Sequence, residues 1–445
     1  MIAIVGGGIS GLAAAYELAT HGVPLTVFEA SSRLGGLICT ERVDGYIIEA
    51  GADSMLAQKR SGLALCTELG LASELIVAKN PRTAYVLHRG RLYPLPSPSV
   101  FGLPLTTLGL LRFRLLSPLG RARVALEPFV PRKRAVEESI GAFFRRRFGQ
   151  QAVDRLAQPL LGGIHAGDVD TLSLRTLAPR LASVEGRGSV LSWLRRSAVV
   201  DPQGAFRSLA PGMSQLVEAI QQRLPANSVQ LNCEVTGLAP GWRLQTTRGT
   251  VDCSAVILAA PAHVAARLLL AVDREAAALC AQTKYVSTVS VALAWPRDAV
   301  RHPLNGSGFV VTRSSNPIRI TACTWVSSKF EGRAPVGDVL LRAYLGGAHD
   351  PDAVNLSDEA IVDIAVRELS EILSITGPPK LSRVYRWRNA GAQHDTTQAG
   401  RVASLQRRLE QHRGLFVAGS GFRTVGVPDC IADGRRTALA AIDQR

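Results

Sequence analysis

Residues 2–11 read Ile2-Ala3-Ile4-Val5-Gly6-Gly7-Gly8-Ile9-Ser10-Gly11, followed by the alanine-rich Leu12 to Ala19 and a second apolar run, Leu25 to Phe28, that stops at Glu29. The order is strand, glycine turn, helix, strand and acid, which is the arrangement that holds a dinucleotide. Gly6 permits a tight turn, Gly8 lets the backbone approach a pyrophosphate, and Gly11 lets the helix lie close to the strand. Gly7, Ile9 and Ser10 complete the phosphate turn. The helix start offers free N–H groups and the positive end of its dipole to phosphate. Glu29, 18 residues beyond Gly11 and followed by Ala30, is placed to accept hydrogen bonds from a ribose diol. A carboxylate there disfavours a 2′-phosphate.

Just past the acid comes Arg33-Leu34-Gly35-Gly36-Leu37. A second glycine pair lets the chain pass close to a bound pyrophosphate, with Arg33 supplying charge. Nicotinamide dehydrogenases do not need this element, so the reading moves from NAD to FAD. Gly51-Ala52-Asp53-Ser54 forms a small-residue loop suited to lying along a flavin. Near the other end, Leu415 to Gly419 reads as a buried strand entering a turn, and Gly426-Val427-Pro428 opens a last helix. A helix start aimed at a flavin ring stabilises negative charge on it. The first and last segments are therefore expected to meet at one cofactor.

A chain of 445 residues with 47% hydrophobic and 20% charged residues is a folded protein of two or three domains. The seven cysteines are scattered without a CxxC pair and the eight histidines lack metal-ligand spacing, so reduced thiols and no metal are expected. No apolar stretch is long enough to span a bilayer. The chain opens directly on its first strand, which reads as cytoplasmic synthesis without a leader.

The formal charge of +15 is concentrated: residues 89–150 carry twelve basic side chains and three glutamates. No nucleic-acid motif accompanies the charge, which leaves a membrane surface or an anionic substrate as partner. Val100 to Leu111 is nearly all apolar. Arg112, Arg114, Arg121 and Arg123 follow among leucines and valines, then Arg132-Lys133-Arg134, then a helix from Val136 to Phe148 with Phe143, Phe144 and Phe148 beside Arg145-Arg146-Arg147. Apolar faces flanked by arginine are read as lying in a membrane interface, peripheral at its cytoplasmic face.

Beyond this segment, Gly162-Gly163-Ile164-His165-Ala166-Gly167-Asp168 implies close backbone approach to a ligand. Strands are expected at 229–231, 234–236, 242–246 and, as one run, 251–258. Short strands follow over 284–345, and a helix over 357–374. The fold class is α/β, with a Rossmann-like FAD-binding domain discontinuous in sequence (1–85, 205–270 and 410–445). A helical, membrane-associated domain covers 90–204, and an α+β mixed-sheet substrate domain covers 271–409.

GGGISGLAAAYEL at the N-terminus, RLGG, GGIHAGDVDTLSLRTLAPRLASVEGRGS at 162–189, LAPGMSQLVEAI at 209–220 and LFVAGSGFRTVGVPDCIADGRRTA at 415–438 together resemble the oxygen-dependent porphyrinogen oxidases, flavoproteins of haem synthesis within the FAD amine-oxidase superfamily. The resemblance implies an extended FAD. Arg33, Gly35, Gly36 and Leu37 would line its pyrophosphate, and Gly51 to Ser54 with Gly419 would lie near the flavin. Val235 would hold the adenine through its backbone, and Val425, Gly426 and Val427 the isoalloxazine. Gly163, Ile164 and Ala166 would border the substrate. It also implies six-electron oxidation of a porphyrinogen, with molecular oxygen as acceptor and hydrogen peroxide as product, and it admits a homodimer; the long apolar and basic segment favours protoporphyrinogen IX, giving protoporphyrin IX, as the substrate. No side chain is assigned a catalytic role. Coproporphyrinogen III, with two more propionates, is the alternative substrate. A flavoprotein that binds porphyrin without turnover is the alternative class. The sequence departs from the family where a propionate-pairing arginine is replaced by Val100 or Phe101, at Thr424, and at Ala392-Gln393-His394.

Overall fold

The computed structural model describes residues 1–131, 137–184, 188–197, 201–313, 318–423 and 425–444. Arg132 to Val136, Glu185 to Arg187 and Thr424, which figure in the sequence reading, lie outside the described residues.

Ile2–Val5 is buried at all four positions, as a strand covered on both faces by helices must be. It sits at the centre of a five-stranded parallel sheet in the order Val229–Gln230, Leu25–Phe28, Ile2–Val5, Ala255–Leu258, Leu415–Val417. The sheet thus draws strands from the beginning, middle and end of the chain. Helix Ile9–Thr20 packs along the final helix, Val427–Asp443. Their approach is so close that a Cβ on Gly434 would stand 2.1 Å from the Ser10 carbonyl oxygen.

The run expected as one strand over 251–258 is two. Gly249–Asp252 pairs antiparallel with Arg243–Thr246, whereas Ala255–Leu258 joins the parallel sheet beside Ile2–Val5. The break falls at Cys253-Ser254, whose N–H groups are taken by the carbonyls of Trp242 and Met1, the residues just before strands Arg243–Thr246 and Ile2–Val5.

A seven-stranded mixed sheet forms the second layer, in the order Leu381–Gln393, Lys284–Pro296, Asp338–Gly346, Ala322–Trp325, Gly308–Val311, Ala84–His88, Arg91–Pro94. Its pairings are antiparallel except Gly308–Val311 with Ala84–His88. The boundary drawn at residue 85 therefore falls inside a strand of this sheet. Helix Asp358–Leu373, capped by the Ser357 hydroxyl on the Ala360 N–H, buries Ile361, Ala365, Leu369 and Leu373 in the core beneath it.

The described residues of 107–197 form short helices around an apolar core. The apolar run at 100–111 is a hairpin, Ser99–Val100 with Leu103–Pro104, and a helix, Thr107–Arg112. The helix expected from Val136 is described over Ile140–Phe148, and its outward phenylalanine face is corrected by the structure. Phe143, Phe144 and Phe148 are fully buried with ring centroids 5.4–6.3 Å apart, and the neighbouring arginines pair with Asp170, Glu138 and Glu127. At helical spacing the three rings share one stripe and bury it against the domain's core. Among the described residues no helix is long and apolar enough to cross a membrane.

Candidate active site

Helix Ile9–Thr20 begins with Gly8 as its cap, and no side chain accepts from its first N–H groups, although Ser10 and Gly11 are buried. Buried amide donors need an acceptor, and a phosphate held at the turn supplies one. The turn has no room for side chains elsewhere. A Cβ on Gly11 would lie 2.0 Å from the Gly6 carbonyl oxygen, and Gly6 itself has φ +109° with the Ala259 carbonyl 2.8 Å from its Cβ position. On Gly8, by contrast, a Cβ meets nothing within 4 Å. That bare side of Gly8 is the cradle a pyrophosphate requires. Gly35 bridges to Gly8, and a Cβ on Gly36 would touch the Gly8 Cα at 3.1 Å, so the second glycine pair lies directly on the first turn.

Glu29 ends its strand beside this turn. One carboxylate oxygen accepts from the Gly7 N–H at 2.7 Å, and the other from the Ser31 N–H and hydroxyl at 2.8 and 2.7 Å. The carboxylate is thereby aimed before any ribose arrives, with Ala30 exposed next to it. Val235 begins the strand that follows Cys233, whose N–H donates to the Glu29 carbonyl at 2.9 Å. Arg33 does not extend its charge freely toward the turn. Its guanidinium donates to the carbonyls of Leu34, Gly36 and Ile38 and lies 6.0 Å from the Trp387 ring centroid. It acts by shaping the glycine loop.

The segment 49–54 is clamped from the seven-stranded sheet. The Ala50 carbonyl accepts from the Ser290 hydroxyl at 2.7 Å and the Trp387 indole N–H at 2.9 Å. Arg342 donates to the carbonyls of Glu49 and Gly51. Gly51 is required there because a Cβ would stand 2.0 Å from the Leu37 carbonyl oxygen. The Asp53 carboxylate pairs with Lys329 at 2.9 Å and Arg342 at 3.5 Å and accepts from Ser54 at 2.5 Å. Burial acts to raise its pKa, but the two cations prevail and hold it well below the usual carboxylate range. Asp53 is therefore a half-buried, doubly paired anchor of the loop, while Ala52 donates its N–H to the Leu37 carbonyl at 3.1 Å.

Gly419, with φ +107°, donates its N–H to Asp433 at 2.8 Å and abuts the Ser10 side chain. Val425 and Gly426 lead into Val427–Asp443, a second helix start without a side-chain cap on Gly426; Lys59 pairs with Asp429 in its first turn. Both uncapped helix starts thus belong to packed neighbours, and the residues present fit an extended FAD.

The glycine turn at 162–167 closes a ten-residue π-helix, Val153–Gly162, that contains Pro159. The wide helical turn accommodates a proline that an α-helix would not. Gly163 has open space on its Cβ side, Ile164 is exposed, and Ala166 is left-handed at φ +49°. The Ala166 carbonyl accepts from the Ala348 N–H at 2.8 Å, and Gln393 donates to the His165 carbonyl at 3.0 Å. Two of the positions that depart from the family pattern thus have structural work. Gln393 supports the loop, and the buried His394 donates from Nε2 to the Ser420 carbonyl at 2.8 Å. Burial, with His394 and Lys59 nearby, pushes the His165 imidazole down to about 4. Gly163 and Ala166 border a pocket of about 340 Å³ whose far wall is the seven-stranded sheet.

A family model described as flavin containing amine oxidoreductase matches residues 9–442. The chain belongs to this family. The flavoenzyme is 36% identical to the coproporphyrinogen III oxidase of Bacillus subtilis over 99% of its own length and 97% of that protein. It is 31% identical to the Staphylococcus aureus coproporphyrinogen III oxidase over 99% and 98%. It is 29% identical to the chloroplastic protoporphyrinogen oxidase 1 of Spinacia oleracea over 99% and 84%. The crystal structure of a candidate protoporphyrinogen oxidase from Exiguobacterium sp. 255-15 superposes with a TM-score of 0.89 at 30% identity, covering 100% of this chain and 99% of that one. The oxidoreductase is a flavoprotein and its cofactor is FAD. Among the described residues no cluster of His, Cys, Asp or Glu could hold a metal, and the seven cysteines are free thiols.

Sequence reasoning missed Ser290, Lys329, Arg342 and Trp387, which lie 240–337 positions from the loop they hold. Nothing local marks them; strand register places Ser290, Arg342 and Trp387, and the short helix Val326–Lys329 places Lys329.

Proposed function

We propose that the enzyme oxidises coproporphyrinogen III to coproporphyrin III, removing six electrons in three two-electron steps and reducing molecular oxygen to hydrogen peroxide. The full-length likeness to coproporphyrinogen III oxidases, at 31–36% identity, carries this choice over protoporphyrinogen IX. The sequence preference for protoporphyrinogen rested on an apolar, membrane-facing segment, and its phenylalanines are core residues. Bound FAD supplies the two-electron acceptor. The chain positions the macrocycle between the bare Gly163 wall and the sheet, excludes water, and holds the cofactor through the clamped 49–54 loop. Purified protein given each porphyrinogen, with and without oxygen, is expected to form coproporphyrin fluorescence faster, and only with oxygen. Faster protoporphyrin formation would reverse the substrate assignment. Flavin without turnover on either substrate would favour a porphyrin-binding flavoprotein.

The surface of the helical domain supports peripheral lipid contact. Leu119 and Phe129 are each 82% exposed, and Leu108, Leu111 and Leu126 are more than half exposed. Arg112, Arg114 and Arg121 lie in the same stretch. Anionic vesicles are expected to sediment the protein at low salt and release it at high salt, as screening weakens the basic contribution. Leu119→Asp with Phe129→Asp is expected to abolish sedimentation without loss of flavin. Sedimentation unchanged by both substitutions would overturn this surface.

A further inference from the structure

We propose that Arg313 receives a carboxylate arm of the substrate at the mouth of the pocket bordered by Gly163 and Ala166. This rests on the porphyrinogen reading above and names a residue through which the site recognises propionate. Arg313 follows the strand Gly308–Val311 and lines the pocket opposite the glycine turn. The pocket is smaller than a tetrapyrrole, so it takes one edge of the macrocycle with its side arms. Its walls at Gly162, Gly163, Gly167 and Gly346 are bare backbone, over which a flat ring can lie closely.

A guanidinium carries five N–H donors in a planar fork that matches a carboxylate. In this structure Arg313 uses one of them, in a long 3.5 Å contact from Nη2 to the Gly346 carbonyl. Among the described residues no carboxylate pairs with it. Asp350, whose charge it feels, is committed to Arg319 through two hydrogen bonds of 3.0 and 2.8 Å. The Arg313 side chain is exposed, so its guanidinium is open to an arriving anion, while partial desolvation at the pocket wall lowers its pKa. His349 lines the same pocket, and burial together with Arg313 lowers its pKa, which disfavours a second cation there. The opposing acid, Asp168, accepts from the Asp170 N–H at 2.9 Å and acts on His349 in the other sense. Beyond the end of the neighbouring strand Ala84–His88, Arg89 is close enough to Arg155 of the π-helix to add to burial in lowering the Arg155 pKa. A polyanionic substrate approaching here meets concentrated positive charge at the end of a pocket with bare walls.

The test uses the FAD-loaded enzyme and coproporphyrin III, followed by quenching of porphyrin fluorescence, with the coproporphyrin tetramethyl ester as the uncharged probe. Arg313→Met is expected to weaken binding of the free acid about ten-fold, the scale of a lost charge-assisted hydrogen bond. It should raise KM for coproporphyrinogen similarly, with a much smaller change in kcat. Arg313→Lys should recover part of the affinity. Wild type and Arg313→Met should bind the ester equally. Free-acid affinity within two-fold of wild type overturns the proposal, as does an equal loss for acid and ester, which would mark a purely steric role. Absence of wild-type turnover on any porphyrinogen overturns the functional reading instead, and the acid-against-ester comparison still decides the role of Arg313.

Discussion

Gly11→Ala is expected to yield a colourless protein. The added Cβ would lie 2.0 Å from the Gly6 carbonyl oxygen and 3.2 Å from the Ala259 Cβ. The first contact is with backbone, so no rotamer change relieves it. Either the helix Ile9–Thr20 shifts away from Ile2–Val5 or the turn opens, and both displace the N–H groups that a pyrophosphate would accept. The helix cannot shift cheaply, because Gly434 of the final helix rests against the Ser10 carbonyl on its other side. Flavin absorbance per mole of purified protein should fall to background, and added FAD should not raise the melting temperature. A Cβ on Gly400, in helix Gln398–Leu409, meets nothing within 4 Å. Gly400→Ala, in the exposed first turn of that helix, should therefore keep full flavin content and stabilise slightly, by at most about 1 kcal/mol. A yellow Gly11→Ala protein with wild-type flavin content would refute this reading of the turn.

The contrast between these glycines marks what was legible in the sequence. Gly7 to Gly11, Glu29 and Gly35-Gly36 could be read because contacts that require them are made within a few dozen residues, by elements whose order the sequence shows, whereas Gly6 is also held by the distant Ala259 carbonyl. The last helix was legible for a similar reason: Gly426 and Pro428 punctuate its start. The aromatic helix was not. Phe143, Phe144 and Phe148 alternate with arginines in a pattern that fits a membrane interface as well as a buried stripe. Only the placement of Glu127, Glu138 and Asp170 shows that the arginines are paired and the rings enclosed. The strand break at Cys253-Ser254 is invisible locally because both halves are apolar enough to be one strand.

The same limit applies at the flavin loop. Asp53 was legible as part of a small-residue loop but not as a half-buried anion. Its charge is sustained by Lys329, at the end of helix Val326–Lys329, and by Arg342, on a strand of the seven-stranded sheet. The net charge of the chain likewise said nothing about which cations are spent in such pairs. The structure sorts them: Arg146 and Arg147 hold the helical domain together, while Arg313 ends at a pocket without a carboxylate partner among the described residues.

Glu127→Ala is expected to destabilise the helical domain by about 3–5 kcal/mol, the scale of breaking a buried ion pair by removing one member. Glu127 is fully buried, and its oxygens accept from Arg147 at 3.2 Å, from the Ser189 hydroxyl at 2.6 Å, and from the Val190 and Leu191 N–H groups at 2.9 and 3.3 Å. One carboxylate therefore joins the turn Glu127–Phe129, helix Ile140–Phe148 and the start of helix Val190–Ser197. Removing it strips a 1%-exposed guanidinium of its counter-ion and leaves two buried amides without an acceptor. Glu127→Gln keeps an acceptor for the amides but not the charge, so its loss should be intermediate. In Glu127→Leu with Arg147→Met both members of the buried pair are replaced by apolar side chains, and the double variant should regain much of what Glu127→Ala loses, short of the two capped amides. Thermal melting and protease cleavage within residues 107–197 would read these differences. Flavin content should follow much less, since the FAD fold is built elsewhere. A Glu127→Ala protein that melts with wild type, or a double variant no more stable than the single one, would show that the pair does not carry the domain.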